Sequence, residues 1–176
     1  QVYKAIANAL GYGEFELTHT PMWCFLENIQ YARILTAEND IEKLKSGEQF
    51  GMQPEKKIKV EIKEKRQNIA AAKKSIRNLR GILAAPLYNA AGLPTPHAME
   101  DVFDKAASIL PTFKPYGELV PFVGETLLQL NEGVDLFLNA APEGCMVSSM
   151  GEILSPHMLL NSPTGARTQH LFSIEG

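Results

Sequence analysis

The sequence predicts an α/β protein built on a mostly parallel sheet flanked by helices. Three observations carry that expectation. Residues 119–175 run in the order helix, strand, loop, helix, strand, and strands joined through a helix pair in parallel by a crossover. Short runs of strand-forming residues recur between helical stretches elsewhere in the chain. The 176 residues are 45% apolar and 21% charged, which is enough for one domain with its own core. The chain starts at Gln1 rather than Met and stops one residue after its last expected strand. Residues 1–176 are therefore expected to be a single α/β domain, or a domain fragment of a larger protein.

The elements follow in chain order. Val2, Ile6, Ala9 and Leu10 stand at helical spacing before Gly11, so residues 2–10 predict a helix. Residues 14–18 alternate around Phe15 and Leu17 and predict a short strand. Helices are expected over 22–35 and 38–46, the second broken at Gly47. Lys57 to Ile62 alternates strictly and predicts an exposed strand, whereas Ile69, Ile76, Leu79 and Leu83 give 64–83 the period of an amphipathic helix. Three prolines and Gly92 make 84–96 a loop. Thr95 then caps, and Pro96 opens, a helix running to Leu110, with Glu100 and Asp101 near its positive end. Leu119 to Gly133 predicts a mostly buried helix, 134–139 a strand, 140–144 a tight loop, 146–160 a helix interrupted late at Pro156, and 170–175 a strand.

Charge is unevenly spread. Residues 55–80 hold ten Lys/Arg against three Glu, a balance of +7 that leaves −10 for the rest of a chain of net charge −3. This stretch has no Phe, Tyr or Trp interleaved with its bases, so it reads as a solvated helix face touching an acidic partner surface rather than a reader of nucleic acid. No apolar run approaches the roughly 18 residues of a membrane span. Cys24 and Cys145 are the only cysteines and form no metal-ligand spacing, so a self-contained zinc or iron–sulfur site is not expected and a reducing cytoplasm is the expected compartment.

One constellation carries chemistry. In an open α/β sheet, ligands bind beyond the carboxyl ends of strands, where a loop feeds the next helix. Asn139 to Ser149 (NAAPEGCMVSS) occupies that position. Gly144 permits close backbone approach, Cys145 sits at the positive end of a helix dipole, and Ser148 and Ser149 place hydroxyls in the first turn, a position that also suits an anion. The thiolate is favoured there, for metal ligation or nucleophilic attack, although a free cysteine also packs well as a small hydrophobe. Glu143 is too close in sequence to be assigned as its base, and Glu118 and Glu125 flank a helix start where dipole and solvation roles stand beside a role near Cys145. His19, His97, His157 and His170 are scattered singly, which favours surface or capping roles over metal binding. Trp23 and Cys24 read as core residues.

The run from Gly124 to Leu154, GETLLQLNEGVDLFLNAAPEGCMVSSMGEIL, resembles a C-terminal domain of the CoA-substrate-specific enzyme activase family, related to the 2-hydroxyglutaryl-CoA dehydratase activator and the dehydratase subunits. Its Pro-x-Gly-Cys-Met loop stands here as Pro142-Glu143-Gly144-Cys145-Met146, and the likeness extends over about 95–175. The resemblance implies an auxiliary or substrate-side domain of an iron–sulfur-linked acyl-CoA system, not catalytic alone. It implies Cys145 as one ligand of a [4Fe-4S] cluster shared with another domain or chain, and a dehydratase or activase as partner. Neither phosphate-binding glycine motif occurs, so no ATP site is expected in this chain, and no nucleic-acid or membrane partner. A partner-docking α/β module and a stand-alone thiol enzyme using Cys145 are the alternatives.

Overall fold

The computed structural model describes residues 2–14, 22–47, 54–110, 117–160 and 162–173. The chain is mostly helical, with one small parallel sheet. Helix α1 spans Val2–Ala9, α2 Met22–Ser46 and α3 Glu55–Asn78. A π-helical segment, Leu79–Ala84, leads into α4 (Ala85–Ala91), then α5 (Met99–Ala106) and α6 (Leu119–Asn131). Strand β1 (Leu136–Pro142), helix α7 (Met146–Leu159) and strand β2 (Arg167–Ser173) close the order. Broadly α/β character is present, but the expected many-stranded parallel sheet is not: among the described residues the sheet is β1 and β2 alone, in register from Leu136↔Arg167 to Pro142↔Ser173.

The expected strand over 57–62 is instead the first part of α3. Ile58, Ile62, Ile69, Ala72 and Ile76 form one continuous helical stripe, partly or fully buried beside α2, while Val60 is left exposed. A six-residue alternation also satisfies a helix when its continuation keeps the 3.6-residue period, and the longer stripe decides. The two helices expected over 22–46 are one, its buried face carrying Ile34, Ile41 and Leu44. Lys65–Asp40 (2.7 Å), Lys73–Glu38 (3.9 Å) and Arg80–Glu27 (2.6 Å) climb one helix while descending the other, so α2 and α3 are antiparallel. The strand expected over 14–18 lies outside the described residues except for Glu14.

The prolines account for two further departures. Pro86 falls in the span expected to be loop, yet α4 continues through it. The preceding π segment shifts the ladder, with Ala85 N–H bonding the Arg80 carbonyl five residues back, so the chain passes a residue that lacks an N–H. At Pro156 the missing N–H would orphan the Glu152 carbonyl, and the Ser155 hydroxyl donates to it instead at 2.8 Å, so α7 runs on to Leu159. The Thr95 cap does not form. Helix α5 starts at Met99 behind Ala98, because the Pro96 and His97 carbonyls are held by Arg80. The sheet is displaced slightly from expectation: β1 extends through Pro142 and β2 begins at Arg167.

The core joins α5 (Met99, Val102, Phe103, Ala106) to α6 (Val120, Val123, Leu127, Leu130), with Cys24 and Met158 closing its sides. The two central helices touch at Gly124, where an added Cβ would stand 1.9 Å from the Val102 carbonyl oxygen. We expect Gly124→Ala to force α5 and α6 apart and to destabilise the fold by about 3 kcal/mol. The urea unfolding midpoint measures this, and an unchanged midpoint would show that the contact is not limiting.

Candidate functional site

Cys145 stands where the sequence places it, between the carboxyl end of β1 and the first turn of α7. The Cys145 N–H bonds the Pro142 carbonyl at 3.2 Å, closing a four-residue turn with Gly144 at φ 79°, while Glu143 keeps a negative φ. That is the pattern of a type II turn, whose third position favours glycine. The Glu143 N–H extends the ladder to the Ser173 carbonyl at 3.0 Å, so the turn is tied to β2 as well. Cys145 is the N-cap residue, extended at φ −64° and ψ 113°, and its carbonyl accepts the first helical bond from Ser149 N–H at 2.9 Å.

The half-exposed thiol forms no capping bond of ordinary geometry, yet it lies in the field of the helix start. The Ser148 N–H and then the Ser148 hydroxyl draw its pKa below the ordinary cysteine value. Partial desolvation opposes them, the Val147 N–H adds to the lowering, and the Glu118 carboxylate opposes it. Ser148 thus acts on the thiol through two groups; the second expected hydroxyl, Ser149, contributes its N–H to the helix start. Cys24 is the opposite case. It is 1% exposed, and burial, with Glu27 adding to it, pushes its thiol up to about 12.

Beneath the first turn of α7 lies a polar chain that the sequence reading did not identify. Asn139, 2% exposed on β1, donates through Nδ2 to the Ser148 carbonyl (2.8 Å) and to His170 Nδ1 on the paired position of β2 (3.0 Å). With Nδ1 accepting, the donor pattern assigns the His170 proton to Nε2, which faces Ser155 Oγ at 3.3 Å and Thr168 Oγ1 at 3.5 Å. Ser155 Oγ is free to accept because its own proton goes to the Glu152 carbonyl. The one signal in the sequence was a polar residue inside the apolar run 134–141; its partner could not be found without the strand register. Gly151 lets α7 sit on this layer, since a Cβ there would lie 2.4 Å from Phe122 and 3.4 Å from Asn139 Nδ2.

The remaining candidates are used elsewhere. Glu125 does not approach Cys145; it accepts from Gln129 and bonds His97 Nδ1 at 3.1 Å, while Glu132 bonds His97 Nε2 at 2.8 Å. Trp23 is only half-buried, its ring lying 5.4 Å below the Arg80 guanidinium and edge-on to Tyr88. His19 lies outside the described residues. Two surface grooves, one along α3 from Pro54 to Asn68 and one around His97, Asp104 and Glu132, lie away from Cys145. Among the described residues, no three His, Cys, Asp or Glu side chains are grouped to hold a metal ion, and no helix is long and apolar enough to cross a membrane. Comparison with family models, curated proteins and solved structures gives no match for the chain.

Alkylation of Cys145 should proceed with a pH midpoint below that of an ordinary cysteine, and Ser148→Ala should make it several-fold slower at neutral pH. Cys24 should react only after unfolding. A midpoint insensitive to Ser148→Ala would remove the hydroxyl's contribution, and an ordinary cysteine midpoint in the unaltered chain would remove the helix-start effect. At His97, burial pulls the pKa down, but the hydrogen bonds that the imidazolium donates to Glu132 and Glu125 outweigh it and leave the pKa raised. A raised folded-state value means the clamp stabilises fully below the unfolded imidazole's pKa, about 6.5, and its contribution is lost as pH rises through the folded one. His97→Gln should therefore cost about 1 kcal/mol at mildly acidic pH and progressively less at alkaline pH. Equal losses at both pH values in chemical denaturation would show a packing role only.

Proposed function

We propose that this chain is an auxiliary or substrate-side domain of an activase- or dehydratase-like, iron–sulfur-linked acyl-CoA system, and that it presents the Cys145 thiolate to a partner rather than catalysing alone. The observation that carries this reading is the thiol itself: half-exposed, at a strand-to-helix turn, with the Ser148 N–H and hydroxyl favouring its ionised form. The Pro142–Met146 loop, which resembles that of the activase family, supplies the substrate class.

The residues present fit one ligand position and not a whole cluster. Cys145 is accessible and thiolate-favouring, whereas Cys24 is sealed in the core and unionised. A [4Fe-4S] cluster takes four thiolates, so the remaining ligands would come from another domain or chain. The stand-alone thiol enzyme is the weaker reading, because both ring nitrogens of His97 and of His170 are directed to other partners.

Anaerobic reconstitution with ferrous iron and sulfide tests the proposal. The chain alone should stay colourless. Together with a 2-hydroxyacyl-CoA dehydratase component it should develop broad iron–sulfur absorption that Cys145→Ser diminishes while the helical circular dichroism is unchanged. Full absorption in Cys145→Ser would remove the ligand role and leave Cys145 as part of the turn.

A further inference from the structure

Helix α3 spends one face on α2 and leaves another uncovered. Lys56, Lys59, Lys63, Arg66, Lys73, Lys74 and Arg77 recur at spacings of three, four or seven, with Lys73 and Lys74 adjacent, and all of them are exposed. At 3.6 residues per turn they fall on one side of the helix, about a quarter of a turn from the Ile58–Ile62–Ile69–Ile76 stripe. At 1.5 Å per residue the ridge is about 32 Å long. Lys59 is bonded to Glu55 and Lys73 reaches Glu38, but Lys56, Lys63, Arg66, Lys74 and Arg77 have no ion pair among the described residues. Past Arg77 the same helical run exposes Ile82 (74%), Leu83 (47%) and Leu87 (61%).

A patch of the opposite sign adjoins this ridge. Glu100, Asp101 and Asp104 of α5 are exposed and gather with Glu38 of α2 around Tyr31, whose phenol is pushed up to about 12 by burial first and then by these four carboxylates. Asp101 and Asp104 also line the groove that includes Glu132, in which Lys105 and His97 are the basic members. The Lys73–Glu38 contact, 3.9 Å, marks the seam between ridge and patch.

We propose that the chain pairs with a second copy of itself through these two surfaces, the basic ridge of each copy lying on the acidic patch of the other about a two-fold axis near the Lys73–Glu38 seam. Adjacent patches of opposite sign are self-complementary under a two-fold rotation, which closes the pair without leaving a free end. The alternatives fit less well. A phosphate backbone or an anionic bilayer reaching the ridge would meet the acidic patch beside it, and the ridge has no aromatics to stack on bases. A helix lying on a membrane needs its apolar face for lipid, and that of α3 is packed on α2. Exposed ion pairs contribute little individually, and the apolar end at Ile82, Leu83 and Leu87 offers the area that charge alone lacks. The inference is independent of the role of Cys145.

Charge reversal tests it. Light scattering should show a dimer in about 50 mM salt that dissociates toward monomer in about 0.5 M salt, where the screening length falls to a few ångströms. A ridge variant (Lys63→Glu, Arg66→Glu, Lys74→Glu) and a patch variant (Glu38→Lys, Asp101→Lys, Asp104→Lys) should each be monomeric, with self-association weakened at least about tenfold. Mixed in equal amounts, the two should form a heterodimer, since both contacts are then complementary again. Should the patch variant lose its helical circular dichroism, Asp101→Asn with Asp104→Asn replaces it and should weaken the dimer and flatten its salt dependence. A wild-type monomer in low salt, a dimer that survives either reversal, or failure of the mixture to pair would overturn the proposal. So would a monomer whose ridge binds duplex RNA or phosphatidylserine vesicles.

Discussion

Parallel pairing of β1 with β2 obliges the chain to travel back along the full length of β1 before β2 can begin, and much of the architecture around Cys145 is a consequence of that return. Each strand has seven residues, about 23 Å at 3.3 Å per residue, and the fourteen-residue α7 covers about 21 Å at 1.5 Å per residue. The helix therefore starts beside the carboxyl end of β1 and finishes near the start of β2. Its N-terminus cannot lie anywhere else, which puts Cys145 at the strand end and turns three backbone features toward the thiol's neighbourhood. Gly144 supplies the turn, Cys145 occupies the N-cap position, and the Ser148 N–H is one of the donors a helix start leaves without an internal partner. The Asn139–His170–Ser155 chain pins this helix to both strands from below, so the turn is held from two sides.

A second constraint ties the antiparallel α2–α3 pair to the α5–α6 layer. Glu27 is 1% exposed and needs a cation; Arg80, in the π segment, provides it at 2.6 Å and uses its other donors on the Pro96 and His97 carbonyls. Breaking a buried ion pair by removing one partner is costly, because the other charge is left without its compensation. The wider π segment thus has two roles: it lets the helix continue past Pro86 and it places Arg80 over Trp23 with its fork toward the start of α5. His97, whose carbonyl Arg80 holds, then reaches Glu125 on α6 and Glu132 at its C-cap, so a single segment connects α2, α5 and α6.

What could be read from the sequence was what depends on local pattern. The helices α1, α6 and α7, the two strands of the C-terminal unit and the turn bearing Cys145 all rest on periodicity, glycine placement and strand-former runs within about fifteen residues. The misreadings share a cause. Lys57–Ile62 alternates like a strand, but Ile69, Ala72 and Ile76 continue its period as a helix, and only a neighbour long enough to take the whole stripe decides between the two. Pro86 and Pro156 look like breaks until Arg80, Ala85 and Ser155 are seen to rearrange the hydrogen bonds around them. The Asn139–His170 and Arg80–Glu27 pairs join residues 31 and 53 positions apart, and no local pattern specifies such partners.

The two cysteines make the same point at the level of chemistry. Composition treats them alike, and spacing argues against a joint role for either reading of the chain. Cys24 lies on the buried face of a long helix, with two carboxylates and little solvent, so every influence except Arg80 raises its pKa and it behaves as a small apolar side chain. Cys145 lies at a helix start, where donors without helical partners meet a half-exposed sulfur and favour the anion against the Glu118 carboxylate nearby. A sulfur held at a fixed turn, with its thiolate favoured by the helix start, has little to gain from the chain's own core. Its partial exposure beyond the end of β1 keeps it out of the α5–α6 core, so the turn and the helix start, rather than packing, set its environment.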